Sequence, residues 1–343
     1  MKEKPTLRSI AEELGLSVSS VSLVLNHREN RISPENRRRI FEAAERVGYL
    51  PSGKRKSRQK PVILGLIVPE LSNAFFADIV QGMTDCAYKQ EAKVLLATNG
   101  ESPSRDAEQI RSMAATGVSA LIVALSYNCS PDVFAGMSCP VIQVDRQSPS
   151  LPYSSIRLNN RKGGYLAARH LIELGHRRIA CITGPRWLMS SQERESGYRW
   201  AMEEAGIPVT GDMVIEGDYL STGGYALADS VIAGGFTAVF CENDMTAIGL
   251  YRRFRERGIT VGQDISVVGF DDISFCEMLD TPLTTIRQSG YDIGYEACSR
   301  AMQEIANPEL PHQSIYFEPR LIKRESARAC RNCLLYTSPS PRD

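Results

Sequence analysis

The sequence predicts a small all-α headpiece of helix-turn-helix type, followed by an α/β body made of two doubly wound parallel-sheet subdomains. Three observations carry this. Residues 6–26, TLRSIAEELGLSVSSVSLVLN, keep helical spacing of apolar side chains on both sides of one interruption at Gly15. From residue 62 onward short apolar runs alternate with helical stretches, the pattern of strands joined by crossover helices. Charge is also divided: residues 1–60 carry 14 Lys and Arg against 7 Asp and Glu, in a chain of 343 residues whose formal net charge is zero.

In the headpiece, Leu7, Ile10, Ala11 and Leu14 form one apolar stripe, and Gly15 permits the backbone to reverse. Ser17 can cap a second helix whose Val21, Val24 and Leu25 face the first. Val18, Ser19, Ser20, Ser22 and Leu23 are left pointing outward, at the end of the helix that meets base edges in a major groove. A helical hairpin inside another fold would share this spacing. The basic excess distinguishes the two, because phosphate attraction dominates nucleic-acid affinity and an acidic body avoids the same polyanion. Ser33 and Pro34 then read as cap and first residue of a third helix through Arg37, Ile40, Ala43, Ala44 and Val47 to Gly48. Residues 54–60, KRKSRQK, have no apolar stripe and lie between Gly53 and Pro61, as a linker would.

The body reads as strands at 62–68, 93–98, 120–124 and 141–144 with helices at 75–90 and 105–116. A second series follows, with helices at 161–174, 194–205, 223–233, 245–257 and 290–306 and strands at 179–183, 213–217, 238–241 and 266–270. Two similar halves are expected one after the other, with ligands beyond the carboxyl ends of the strands. The expected division is 1–50 headpiece, 51–61 linker, 62–327 body and 328–343 tail. No window approaches the roughly 20 apolar residues of a membrane span, and the amino terminus lacks a signal-peptide stretch, which points to the cytoplasm. Nine cysteines scattered through apolar segments suit reduced thiols. Cys330 and Cys333 form a lone CxxC without a second ligand pair, so no metal and no cofactor are expected.

The chain resembles the lactose/galactose repressor (LacI/GalR) family of bacterial transcription regulators from Thr6 to Ser326. The string at 6–26 carries the resemblance, together with ISPENR at 32–37, GYLP at 48–51, NAFFADI at 73–79, GGY at 163–165, LGH at 174–176, RESGY at 194–198, Asn243 with Asp244, DISVVGFDD at 264–272 and PLTTI at 282–286. It implies a periplasmic-binding-protein-like body, a homodimer on a near-palindromic operator, and gating by a small effector in the body cleft. Thr6, Ser17 and Asn26 join the outward residues above as expected DNA contacts. Phe75 and Phe76 match positions that wall the effector site, although adjacent aromatics at a strand-to-helix junction also suit a core. Asp145 and Asp271 end strands where a carboxylate can accept hydrogen bonds from hydroxyls; helix caps or surface acids are the alternatives. Arg194 is expected to open a helix, a poor place for a cation unless it serves the cleft. Ser190, Tyr219 and Asn243 match effector-contacting positions, Tyr219 as a stacking face and Asn243 as an amide donor and acceptor. This mixture favours a sugar or other polyol. Leu188 stands where purine-responsive relatives place another arginine, which weakens a nucleobase reading.

Two departures from the family pattern stand out. Where the family places a leucine that wedges into the minor groove, this chain has Arg58, so its linker is expected to act as a basic arm in an A·T-rich groove. After Ser326 the family-like sequence stops, and CRNCLLYTSPSPRD at 330–343 resembles translated adaptor sequence. A sugar receptor without a regulatory role is disfavoured by the headpiece. An enzyme is disfavoured because the expected cleft offers isolated carboxylates but no nucleophile–base set or phosphate loop, while His27, His170, His176 and His312 are dispersed.

Overall fold

The structure, a computed structural model, describes residues 6–25, 32–47, 49, 61–127 and 129–330. The chain divides into two compact units, 1–61 and 62–343.

Three helices make the first unit: α1 (Leu7–Leu14), α2 (Val18–Leu25) and α3 (Pro34–Arg46). Helices of 8 residues are marginal alone, so caps and packing must hold them. Thr6 Oγ1 accepts from the Ser9 N–H, Ser17 Oγ accepts from the Ser20 N–H at 3.1 Å, and Ser33 Oγ accepts from the Asn36 N–H at 3.3 Å. Gly15 ends α1 at φ 66°, a conformation that strains residues with a Cβ. Ile10, Val21, Leu25 and Ile40 are each at most 2% exposed and form the centre of one small core with Ala11, Val24, Ala43 and Ala44.

The second unit runs β1 (Ile63–Val68), α4 (Ala74–Lys89), β2 (Lys93–Thr98), α5 (Pro103–Thr116), β3 (Ala120–Val123), β4 (Val141–Val144), β5 (Ser154–Leu158), α6 (Asn160–Glu173), β6 (Ile179–Thr183), α7 (Met189–Glu204), β7 (Val214–Glu216), α8 (Ser221–Ala233), β8 (Ala238–Cys241), α9 (Asp244–Glu256), β9 (Ser266–Asp271), β10 (Thr284–Arg287), α10 (Gly290–Ala306), β11 (Ser314–Phe317) and β12 (Arg320–Ile322). One sheet has the order β11-β5-β4-β3-β1-β2 and is parallel throughout. The other has the order β12-β10-β9-β8-β6-β7, with β12 antiparallel to β10. Its remaining pairs are parallel.

The halves do not simply follow one another, which corrects the sequence reading. The chain crosses between them three times: after β5, after β10, and between β11 and β12. Thus α10 packs on α4 in the first subdomain, although it lies far along the second half of the sequence. β5, β10, β11 and β12 were not foreseen, because SSIRL, TTIR, SIYF and RLI are short and laced with polar residues. Burial makes strands of β5 and β10: all five residues of β5 are covered, and the Thr285 hydroxyl donates to Asp244 Oδ1 at 2.7 Å. β11 and β12 are less covered edge strands, held by pairing with β5 and β10. The tail boundary also moves. Arg328 O is within 3.0 Å of His176 Nε2, and the Cys330 N–H donates to Leu174 O at 2.8 Å, so the body continues through Cys330. Residues 331–343 lie outside the described residues.

Three helix pairs meet through reciprocal glycines. A Cβ at Gly82 of α4 would sit 1.9 Å from Tyr291 O of α10, and one at Gly294 would sit 2.0 Å from Ile79 O. Gly164 and Gly197 do the same for α6 and α7, and Gly224 with Gly249 for α8 and α9. The backbones therefore touch directly, and each subdomain keeps rigid walls around its sheet. No helix among the described residues is long and apolar enough to cross a membrane.

Candidate effector cleft and DNA-reading face

The two sheets present their carboxyl ends to one cleft of about 430 Å³, its open mouth included. All eight residues expected at the effector site line it: Phe75, Phe76, Asp145, Ser190, Arg194, Tyr219, Asn243 and Asp271. Glu70, Asn73, Glu101, Arg146, Asp218 and Gln288 line it too and were not anticipated as site residues. The rule that ligands sit beyond strand ends could have found several of them, since Glu70 follows β1, Arg146 follows β4 and Gln288 follows β10.

Local backbone geometry aims these side chains. Among the described residues, six non-glycines have positive φ, and four of them line the cleft: Glu101 at 58°, Asp145 at 58°, Tyr219 at 67° and Asp271 at 121°. Each such conformation costs about 1–3 kcal/mol, and such strain gathers where a fold holds side chains for function. At Asp145 the Arg146 N–H closes a three-residue turn on Val144 O at 2.5 Å. That turn places Asp145 and Arg146 side by side at the end of β4.

Arg194 does not open its helix, contrary to the sequence reading; α7 begins at Met189, and Arg194 sits in its second turn. The residue is 4% exposed. Nε donates to Asn160 Oδ1 at 2.9 Å, Nη1 donates to Glu242 O at 2.5 Å, and the group stacks 3.7 Å from the Phe270 ring centre. Asn243 also serves the protein first. Its Oδ1 caps α9 through the Thr246 N–H at 2.9 Å, and its Nδ2 donates to Tyr219 O at 2.7 Å, which fixes the Tyr219 backbone. Phe75 and Phe76 pack edge to face at 5.2 Å, belong to the core, and also front the cleft, so both readings of them hold.

Two buried acceptors in this lining have no donor: Asp145 Oδ1 and Gln288 Oε1. The other end of Gln288 is engaged, its Nε2 donating to Asp271 Oδ1 at 2.6 Å. Burial raises the pKa of Asp145 and of Asp271, opposed by the nearby Arg194 charge. Behind Tyr219, Glu242 is fully buried and takes the Gly184 N–H at 2.9 Å and the Ser191 hydroxyl at 2.7 Å on Oε2. Burial pushes its carboxyl up to about 8. A folded pKa above the unfolded value of 4.5 means that the folded state holds the extra proton between pH 4.5 and about 8. Stability from this group is therefore full below pH 4.5 and lost as pH rises through about 8. Thermal unfolding from pH 5 to 8.5 should show a decline that Glu242→Gln flattens; identical pH slopes in the two proteins would refute it.

In the headpiece, Val18 is 44% exposed and Ser19 is exposed, while Ser20, Ser22 and Leu23 are half-buried along the same helix. Thr6 and Ser17 are exposed and act as helix caps. Asn26 and Arg58 lie outside the described residues.

Comparison with known proteins fits both parts. Residues 6–52 match the profile of "Bacterial regulatory proteins, lacI family", and residues 168–327 match a periplasmic binding protein-like domain. A ribose operon repressor from Haemophilus influenzae is 30% identical over 326 residues, covering 94% of this chain and 98% of that protein. The chain belongs to the lacI family. Other members are similarly close: an HTH-type transcriptional repressor PurR from Vibrio cholerae is 29% identical over 330 residues, with 94% and 98% covered. Among solved structures, the transcriptional regulator CelR in complex with cellobiose superposes with a TM-score of 0.71 at 27% identity, covering 94% of this chain and 99% of that one. As a lacI-family member, the chain is a DNA-binding transcriptional repressor with an effector-binding body, and its relatives are repressors rather than enzymes.

Proposed function

We propose that this repressor controls carbohydrate-utilisation genes, acts in the cytoplasm as a homodimer on a near-palindromic operator, and is gated by a sugar-like polyol in the cleft. The unpaired buried acceptors Asp145 Oδ1 and Gln288 Oε1 carry the effector reading. A buried acceptor without a donor costs about 1–3 kcal/mol, and a ligand rich in hydroxyls removes that cost at both atoms. Tyr219 and Phe76 supply faces for the carbon skeleton, and Ser190 Oγ has no hydrogen-bond partner among the described residues. The cellobiose bound by CelR is consistent with this chemistry. A purine effector is the second reading, favoured by the PurR relative. Against it, buried Leu188 occupies the position where an additional arginine was expected for a purine.

A thermal-shift screen of free sugars against purine bases decides between them, since a ligand of the native state raises apparent stability by mass action. Stabilisation by purines alone would refute the sugar reading. On the DNA side, exchanging Val18, Ser19 and Leu23 for another member's residues should change the preferred half-site. Val18 and Leu23 can pack on thymine methyls, and Ser19 can bond a base edge. Binding-site selection measures this, and an unchanged preference would remove these residues from the reading set.

A further inference from the structure

We propose that Glu101 is a specificity-determining residue that bars anionic effectors, such as phosphorylated or carboxylated sugars, by occupying the Arg146 guanidinium. The inference rests on the cleft being the effector site.

Two cations line the cleft, Arg146 and Arg194, and an arginine fork is the group that best recognises a phosphate or carboxylate. The Arg146 fork is fully occupied, and the Arg194 fork is occupied at two of its three nitrogens. Arg146 is 94% buried and gives both Nη atoms to the two oxygens of Glu101, with Nη2 to Oε1 at 2.7 Å. Its Nε lies 3.8 Å from Asp145 Oδ2, and its plane faces the Phe76 ring at 5.5 Å. Arg194 is engaged by Asn160 and the Glu242 carbonyl, with one face on Phe270.

Glu101 is held for this contact rather than drifting into it. It takes φ 58° in the turn after β2, and its N–H donates to Asn99 Oδ1 at 3.1 Å. Asn99 is itself fixed by Nδ2 bonds to Asp106 Oδ1 at 2.6 Å and Ala124 O at 3.0 Å. A left-handed glutamate anchored by a buried asparagine makes the Glu101–Arg146 pair part of the built wall.

The remaining lining charge has the same sign. Glu70 follows β1 on one subdomain and Asp218 precedes Tyr219 on the other, so both sides of the mouth carry a carboxylate, with Asp145 and Asp271 within. An entering phosphate would meet these acids and would have to displace Glu101 to reach the Arg146 fork. A neutral or amino-bearing polyol meets neither obstacle, and it answers the unpaired Asp145 Oδ1 and Gln288 Oε1.

Calorimetry on the full-length protein tests this with matched pairs: ribose and ribose 5-phosphate, glucose and glucose 6-phosphate, and inorganic phosphate against chloride at equal ionic strength. The wild type should bind each free sugar at least as tightly as its phosphate ester. It should also show no phosphate-specific binding that depends on Arg146. Glu101→Ala frees the Arg146 fork and should raise affinity for the phosphate ester or inorganic phosphate about 10-fold or more, with little change for free sugar, and Glu101→Gln, which keeps one acceptor, should give a smaller gain. Arg146→Leu in the Glu101→Ala background should cancel that gain, while Asp132→Asn, which does not line the cleft, should do nothing. A wild type that prefers a sugar phosphate, or a Glu101→Ala protein with no gain for any anion, would overturn the proposal. The underlying sugar reading fails separately, if purine bases bind and no sugar of either series does.

Discussion

Replacing Arg194 with alanine is expected to abolish the effector response and to destabilise the body while leaving headpiece contacts with operator DNA in place. Three consequences act together. Asn160 Oδ1 and Glu242 O each lose a donor at buried sites. The stack on Phe270 is lost. Asp145 and Asp271 also lose the cation that opposes their burial. Removing one partner of a buried charged network typically costs about 3–5 kcal/mol, against about a tenth of that for an exposed pair. Arg194→Lys should restore charge but not the fork, and so recover stability only in part. Thermal unfolding of the body, effector calorimetry and operator binding at low temperature separate these effects. A variant with wild-type stability and wild-type effector affinity would show that Arg194 supports neither the cleft wall nor the ligand. Because the first unit keeps its own core around Ile10, Val21 and Ile40, loss of the headpiece's operator contacts is not expected in this variant.

The second large effect is expected at Gly82, where the contact is between backbones. An added Cβ would lie 1.9 Å from the Tyr291 carbonyl oxygen and 2.8 Å from its carbon, both backbone atoms of α10. No rotamer change relieves such a clash, so α4 and α10 must separate, and with them the face that covers β3, β4 and β5. Overpacking against a side chain usually costs about 1–3 kcal/mol; against backbone we expect about 3 kcal/mol or more for Gly82→Ala. For a unit of this size that corresponds to a midpoint lowered by roughly 6–12 °C. Gly211→Ala is the matched control, because nothing lies within 4 Å of its added Cβ. Equal midpoints for the two variants would mean that the helix pair yields more easily than the direct backbone contact implies.

Much of the candidate cleft's lining was legible because strand ends and family motifs coincide. Asp145 and Asp271 were placed by the strands they end and Asn243 by its family motif, and each does line the cleft. What the pattern could not reveal is how their hydrogen-bonding capacity is divided. Asn243 has the right residue type for a ligand, yet its amide caps α9 and holds Tyr219, whereas Gln288, which no motif marked, keeps an open acceptor. Arg194 was selected for a reason that proved wrong, since its helix begins five residues earlier, at Met189. MSSQE carries no apolar periodicity to signal that start, and the N-cap position, Leu188, makes no side-chain cap bond.

By itself the sequence determined the elements whose information is local: the headpiece with its Gly15 turn and Ser17 cap, the basic and acidic division of charge, and the strands buried on both faces as continuous apolar runs. Periodicity, capping and charge act over a few residues and survive in a one-dimensional string. Only the tertiary structure decided the three crossings between subdomains, the short polar strands β5, β10, β11 and β12, and the pairing of Arg146 with Glu101, 45 residues away in the chain. Those depend on which surfaces cover one another, and burial is a property of the assembled fold: it turns TTIR into a strand, a glutamate into the partner of a cleft arginine, and leaves two ordinary acceptors without a donor.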